Sequence, residues 1–507
     1  MGNLSYEETA KKVRNRLRSY SAVSVVRLAL DLTQTTRDEN ILDQLQKWPW
    51  ITFLLVKLAL EDQMIPLYNG ESCPRNVFDL CRQELWDAEK IPDADDTKGS
   101  VYLMFRSLIQ AQLPFQKKPT FDFLRWPALI ARLISTHPVR QQFEKRMRMG
   151  PDVFICICYA LYAPVVNGKT IIKRDYFKPL LPIYGDALEQ FMSEFARDLQ
   201  GLRSELRKGL AARIATNTAI RPRQESFEFP WLSNYPLLRD DAGDFVIWHP
   251  LVFARGMEQA VHVRLSENRA DYASTFSKVF EDYVLELIQE AGLKYLSEQD
   301  YKGEVGADKH AVEAIITIDE VNVFVESKMT AYSEELFLSD RKPVVWKNMK
   351  RVREAMNQGW KVGSRLRGGG LPTWSCTNSK KDYLIVVTSQ PMNCATGEHF
   401  RRMFNREIFE PRGFVGEPSI EQLERLPLRN IVIVSIEEFE HLMGCVRNSE
   451  INLVDFLHEV AAAHTDPKTS VMFIDQMLGP KTKKWRLPQL LEDANRHAMA
   501  MLEESLS

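Results

Sequence analysis

The stretch Ala311 to Thr330, AVEAIITIDEVNVFVESKMT, constrains the fold of this chain more than any other. Apolar residues alternate through its two halves, and Asp319-Glu320 stands between them as a two-residue turn. A hairpin closed there pairs Ile318 with Val321, Ile316 with Val323 and Glu313 with Glu326. The side-chain period of two then sends Val312, Ala314, Ile316, Ile318, Val321, Val323 and Val325 to one face, and Glu313, Glu326 and Lys328 to the other. Two carboxylates directly opposite one another repel and weaken an ordinary sheet. The arrangement becomes reasonable when a divalent cation or the neighbouring ammonium neutralises them, as in a metal-dependent phosphodiesterase site. A solvated charged face on an amphipathic hairpin is the other reading, and the hairpin alone leaves both open.

The rest of the chain narrows the choice. Its 507 residues have room for roughly two to four domains with substantial cores. A content of 45% hydrophobic and 26% charged residues is that of a soluble globular protein. The formal net charge of -2 excludes a uniformly basic coat, so any nucleic-acid contact must come from local patches. Seven cysteines, an odd number with no CxxC pair, argue against a disulfide framework and a zinc ribbon. Cys156 and Cys158, in VFICICYALYAPVV, read as buried packing, and a reducing cytoplasm is the expected location. The N-terminus is charged without an apolar signal core, and Tyr6 stands where a myristoylation signal needs Ser or Thr. Neither TFLLVKLAL around Lys57 nor the run ending at Pro164 has the roughly 20 apolar residues that span a bilayer, so no membrane role is expected.

Residues 1–215 read mostly as helices, in AVSVVRLALDLTQ, WITFLLVKLALEDQM, FDFLRWPALIARLIS and one long run from Tyr184 to Ile214. Lys145, Arg146 and Arg148 are expected on a solvated helix face. Prolines and aromatics without helical period mark a connection from Ile220 to Tyr235, followed by a short hairpin in PLLRDDAGDFVIWHP. Asp240, Asp241 and Asp244 lack calcium-loop spacing and read as turn residues. An amphipathic helix then runs from Tyr272 to Gly292, with Glu281 beside its apolar stripe. After it come a short strand in LKYLSEQDY, the hairpin, a helix in VVWKNMKRVREAMNQGW, a Gly- and Arg-rich loop, the apolar strand YLIVVTS, and a strand and helix in NIVIVSIEEFEHLMG. Apolar strands alternating with helices imply a mixed sheet covered on both faces.

This order resembles the core of the PD-(D/E)xK nuclease superfamily, the restriction-endonuclease-like fold. The likeness rests on Phe280-Glu281 in the helix, Glu313 in VEAIITID and Glu326-Ser327-Lys328 in VFVESKMT, and it extends from Ser274 to Cys445. The resemblance implies that Glu313 stands at the family's metal-binding aspartate, one methylene longer, that Glu326 is the second acidic ligand and Lys328 the family's lysine, and that Glu281 is the helix glutamate some members add. It implies Mg2+ (or Mn2+) held by Glu313, Glu326 and the Ser327 backbone carbonyl, and phosphodiester hydrolysis as the reaction. Gln358 is similar to a glutamine seen in some of its subfamilies.

The expected organisation is therefore an α+β multidomain protein. It has a helical N-terminal domain over 1–215 for recognition or regulation, a connecting segment with a short hairpin over 216–265, a nuclease-like α/β domain with a central mixed sheet over 266–450, and a helical segment over 451–507. Nucleic acid is the expected partner, DNA before RNA. Lys347, Lys350, Arg351, Arg353, Arg365 and Arg367 supply the phosphate contacts, with Trp346, Trp360 and Trp374 interleaved for base stacking. The second basic cluster, Lys481, Lys483, Lys484 and Arg486 around Trp485, reads as a surface loop. The N-terminal region is the expected place for a protein trigger or partner, dimerisation is compatible with the reading, and the layout resembles that of phage-defence effectors. The alternatives are a nuclease-fold module that binds or senses nucleic acid without cutting, and cleavage of RNA, transfer RNA included. Other chemistries fail on spacing. His458 and His464 are too far apart for a zinc-protease helix, Gly368-Gly369-Gly370 is followed by no Lys-Ser/Thr, and no G-x-S-x-G elbow occurs.

Overall fold

The computed structural model describes residues 5–33, 41–88, 100–116, 120–215, 225, 228–266, 269–306, 310–330, 336, 338–339, 342–367, 381–404, 420–483 and 487–506. Two compact units divide the chain: Met1–Asp93, Ser107–Leu265 and Leu490–Ser507 form the first, and Ala94–Arg106 with Ser266–Gln489 the second. Residues 94–106 and 451–489 thus group with the second unit, and only 490–507 of the expected C-terminal segment group with the first.

In the second unit the hairpin forms as its alternation requires. Asp319 and Glu320 take left-handed backbone angles, φ 48° and 64°, the type I′ geometry whose twist suits a two-residue connection. It joins β2 (Ala314–Ile318) to β3 (Val321–Lys328), with Ile318 opposite Val321, Ile316 opposite Val323 and Ala314 opposite Val325. Preceding them are α1 (Arg269–Glu290) and β1 (Tyr295–Ser297), which pairs antiparallel with β2. The segment after β1, expected to continue as strand, turns into α2 (Glu298–Val305) because the Ser297 hydroxyl accepts the Asp300 N–H at 3.1 Å and caps a helix. Farther on, α3 (Lys350–Arg367) leads to β4 (Tyr383–Thr388), then α4 (Gly397–Phe404), β5 (Ile431–Ser435) and α5 (Ile436–Arg447), which opens with a Ser435/Glu438 capping box. The five strands lie in the order β1-β2-β3-β4-β5, antiparallel through β3 and parallel from β3 to β5.

Both faces of this sheet are covered. Ile315, Phe324, Leu384, Val386, Ile431 and Ile433 share one core with Val352, Met356 and Trp360 of α3 and Phe400 and Phe404 of α4. The approach is close: a β-carbon at Gly359 of α3 would sit 2.8 Å from a Leu384 methyl. On the opposite face α1 lies against β3 and α5 against β4. A hydrogen bond of 2.6 Å from the buried Tyr283 hydroxyl to Glu440 ties these two helices together. The charged face expected on the hairpin is consequently not a solvated one.

The first unit is mainly helical. Helices Ala22–Thr33, Pro49–Glu61 and Arg75–Ala88 enclose a core that includes Phe53, Leu55 and Phe78. Lys57, inside the apolar run, is buried but ion-paired with Glu225 at 3.1 Å and Glu228 at 2.8 Å. The long helix expected from 184 to 214 breaks into Leu181–Phe195 and Leu199–Ala215, because Ala196–Arg197 pairs as a strand with Leu237 and Leu238. That pairing completes a small four-stranded sheet around the expected hairpin, whose turn Asp240 closes by accepting the Ala242 and Asp244 N–H groups. Cys156 and Cys158 are buried. Among the described residues no single helix is long and apolar enough to cross a membrane, although Pro138–Met147 and Pro151–Val166, bent at 52°, reach that length together.

Candidate functional site

Glu326 and Lys328 project from the end of β3, and Glu313 stands one residue before β2 begins. Continuing the ladder register brings Glu313 opposite Glu326, and the side chains meet there. The Glu313 carboxylate grips the residue between the other two: Oε2 accepts the Ser327 backbone N–H at 3.0 Å and Oε1 the Ser327 hydroxyl at 3.2 Å. Glu326 is 1% exposed and Glu313 7%. Burial raises the Glu326 pKa well above the usual carboxylate range, the adjoining Glu313 charge and a hydrogen bond between the two carboxyls raise it further, and Lys328 opposes the rise. Glu326 is therefore biased towards its protonated form. Lys328 Nζ is ion-paired with Glu326 Oε1. Burial alone would lower the Lys328 pKa, but Glu326 and Glu313 outweigh it and hold it above its ordinary value.

Glu281 is half-buried on α1. Its pKa is raised first by burial and then by the charge of Glu313, while Lys278, 3.4 Å away, works against the rise. Glu313, Glu326, Ser327 and Lys328 thus form one contiguous cluster, which Glu281 approaches from the helix. Beside it opens a cleft of about 700 Å³ lined by Lys278, Asp282, Leu285, Ser297, Lys302 and Glu313 among others, a volume within the usual range of ligand sites. Sequence reasoning missed the wall that α2 supplies. The signal was present in Ser297 and Asp300, an N-cap and its partner in the first helical turn.

The basic residues divide. Lys347, Lys350 and Arg351 are exposed, and the last two pair with Glu354 at 3.5 and 3.2 Å. Arg351 lies near enough to Lys328 for its charge to oppose protonation there. Arg353, expected among the phosphate contacts, is instead stacked on Trp346, its guanidinium 4.0 Å from the ring centroid, and it donates to the Trp346 carbonyl at 3.4 Å. Arg365 is half-buried and Arg367 has a side chain outside the described residues. Two of the tryptophans expected to stack on bases are engaged within the protein: Trp360 is core, its indole N–H bonded to the Leu426 carbonyl at 2.9 Å, and the half-buried Trp346 packs on Phe400 and Phe404. Trp374 and Trp485 lie outside the described residues. Gln358 donates to the Ala311 carbonyl at 3.2 Å, tethering α3 to the strand that Glu313 introduces.

Among the described residues no group of three or more His, Cys, Asp or Glu side chains is arranged to hold a metal ion. The donor set expected for Mg2+ is smaller, two carboxylates and a carbonyl, with water completing an octahedron. The chemistry of the donor set fits such an ion: two buried carboxylates set opposite each other repel unless positive charge neutralises them, and a divalent cation beside Lys328 would do so. Comparison with protein-family models, with curated proteins and with solved structures finds no match to this chain.

Proposed function

We propose that the second unit is a metal-dependent nuclease of the restriction-endonuclease-like class, hydrolysing phosphodiester bonds in nucleic acid, with DNA the favoured substrate. The observation that carries the reading is the buried Glu313–Glu326 carboxyl pair beside Lys328 at the margin of a polar cleft. The order of α1, an antiparallel β1-β2-β3 meander, α3 and a parallel β4 also agrees with the core of that class.

In this reading Glu313, Glu326 and the Ser327 carbonyl would hold Mg2+ or Mn2+, which would supply Lewis acidity at the phosphate and make a water more acidic. Ser327, held through its N–H and hydroxyl by Glu313, fixes the angle between the carboxyls. Lys328 keeps an ammonium at the position where negative charge develops on the phosphoryl oxygens. Glu281, with its raised pKa, is placed to hold or release a proton at the cleft margin.

A second reading is favoured by one observation: both Glu313 oxygens are engaged by Ser327 and Glu326 is engaged by Lys328, an arrangement suited to a non-cutting module that binds nucleic acid. Purified full-length protein incubated with supercoiled plasmid or with RNA, in Mg2+ or Mn2+, separates the two. The nuclease reading requires cleavage that Glu326→Gln and Lys328→Ala each reduce by at least about 100-fold, in line with the loss of one charged transition-state contact. Cleavage unaffected by both variants rejects it, and binding without cleavage in either metal selects the second reading.

A further inference from the structure

Lys302, Lys361 and Arg365 converge on His310 beside the cleft. Lys361 of α3 places Nζ 3.0 Å from His310 Nε2. Arg365 lies one helical turn beyond Lys361, and both it and Lys302 are near enough to lower the His310 pKa, which burial lowers first and Lys361 lowers next. Lys302 has a carboxylate partner, Glu298, at 2.5 Å. Among the described residues Lys361 and Arg365 have none, and the buried Nη1 of Arg365 has no hydrogen-bond partner there. Surface cations ordinarily sit among carboxylates, so a cluster of this kind carries mutual repulsion that a bound anion relieves.

We propose that Lys302, His310, Lys361 and Arg365 form a phosphate-binding patch that seats the backbone of the nucleic-acid strand leading to Glu313. This inference rests on the nuclease reading for the identity of the ligand, but not on turnover. Two placements support the route. Lys302 lines the same cleft as Glu313, and His310 precedes Glu313 by three residues in the chain. Lys361 acts as an ammonium donor to neutral His310, leaving its remaining N–H groups for a phosphate oxygen, and Arg365 adds a half-buried guanidinium charge one turn away. The patch differs from the group formed by Lys347, just before α3, and Lys350 and Arg351 at its start. The two ends would hold phosphates on either side of the site.

The test uses the full-length chain carrying Glu326→Gln, in chelator so that no cleavage occurs, and a short fluorescein-labelled duplex DNA read by polarisation across a salt series. Adding His310→Gln, Lys361→Gln and Arg365→Gln together is expected to weaken binding at least about 10-fold and to lessen the slope of log Kd against log salt by roughly two. Lys361→Gln alone, exposed enough to leave the fold unchanged, is expected to weaken binding by about threefold and to lower the slope by roughly one. Circular dichroism checks that the triple variant is folded. Parent-like affinity and slope in both variants overturn the patch, while plasmid cleavage by the wild-type protein judges the nuclease reading separately. If the Glu326→Gln protein binds no DNA at low salt, the patch is wrong; wild-type cleavage would then leave the nuclease reading standing, and its absence would remove both.

Discussion

The Glu313 carboxylate accepts both the backbone N–H and the hydroxyl of Ser327, although Glu313 lies one residue before its strand and Ser327 within the next. The ladder register sets Glu313 opposite Glu326, and the Ser327 clamp holds it there.

The pair makes stability depend on pH and on divalent cations. A carboxyl whose folded pKa lies above its unfolded value of 4.5 favours the fold when protonated, so the contribution of Glu326 is present below that pH and is lost as pH rises. Glu326→Gln keeps the protonated shape at every pH. The melting temperature of the variant is therefore expected to exceed that of the wild type at pH 8 in chelator, with the gap closing towards pH 4.5. Mg2+ at a hundredfold excess over its Kd should stabilise the wild type by about 2–3 kcal/mol and the variant far less. Equal responses of the two proteins to pH and to Mg2+, followed by scanning calorimetry, would rule out a protonated Glu326 and its exchange of that proton for a cation.

His441 gives a slope of the same sign from a different part of the same unit, over a range that begins at its own unfolded value of 6.5. Its Nδ1 meets Asp475 at 2.8 Å and its Nε2 meets Thr482 at 2.6 Å, joining α5 to the segment that follows it. Burial would lower its pKa, but Asp475 and Cys445 outweigh that and push it up to about 9 from 6.5. The imidazolium contribution is complete below pH 6.5 and disappears as pH rises through about 9. Between those values His441→Gln should lose less stability than the wild type, by on the order of 1–3 kcal/mol, in urea titrations at each pH. Parallel curves for the two proteins would show that His441 does not titrate in the fold.

Glu320 occupies a left-handed turn position with an exposed side chain, where an L-residue is strained and glycine is not. Glu320→Gly completes the Asp-Gly type I′ turn and is expected to raise stability by about 0.5–1 kcal/mol. Urea unfolding at neutral pH measures it, and a lowered midpoint would mean that the glutamate side chain contributes more than the strain it causes.

The hairpin register was legible because Ile and Val alternate in both strands and a slip by one residue would reverse every side chain. Glu313, Glu326 and Lys328 were legible for the same reason. Their burial was not, since it depends on α3 and α1, whose packing is a tertiary fact. Trp346 and Trp360 were misread on similar grounds: an indole suits a base-stacking surface and a core equally, and only the neighbouring Phe400, Phe404 and Leu426 decide. The break at Ala196–Arg197 escaped because strand pairing with Leu237 and Leu238 overrides a helical pattern that runs through it. Arg365 was legible as part of a basic run, but its grouping with Lys302 and His310 joins α2, the approach to β2 and the end of α3, and residues so scattered along a chain leave no local spacing to read.

The switch from antiparallel to parallel pairing at β3 has a consequence for the order of assembly. The β2-β3 hairpin closes a two-residue loop, whereas β3 finds β4 only after all of α3 and its flanking segments have been brought round. Loop-closure entropy favours the first contact over the second. The nascent hairpin thus brings Glu313 and Glu326 together while water still screens them, and their mutual repulsion is felt in full only when α3 and β4 dock and drive that water out.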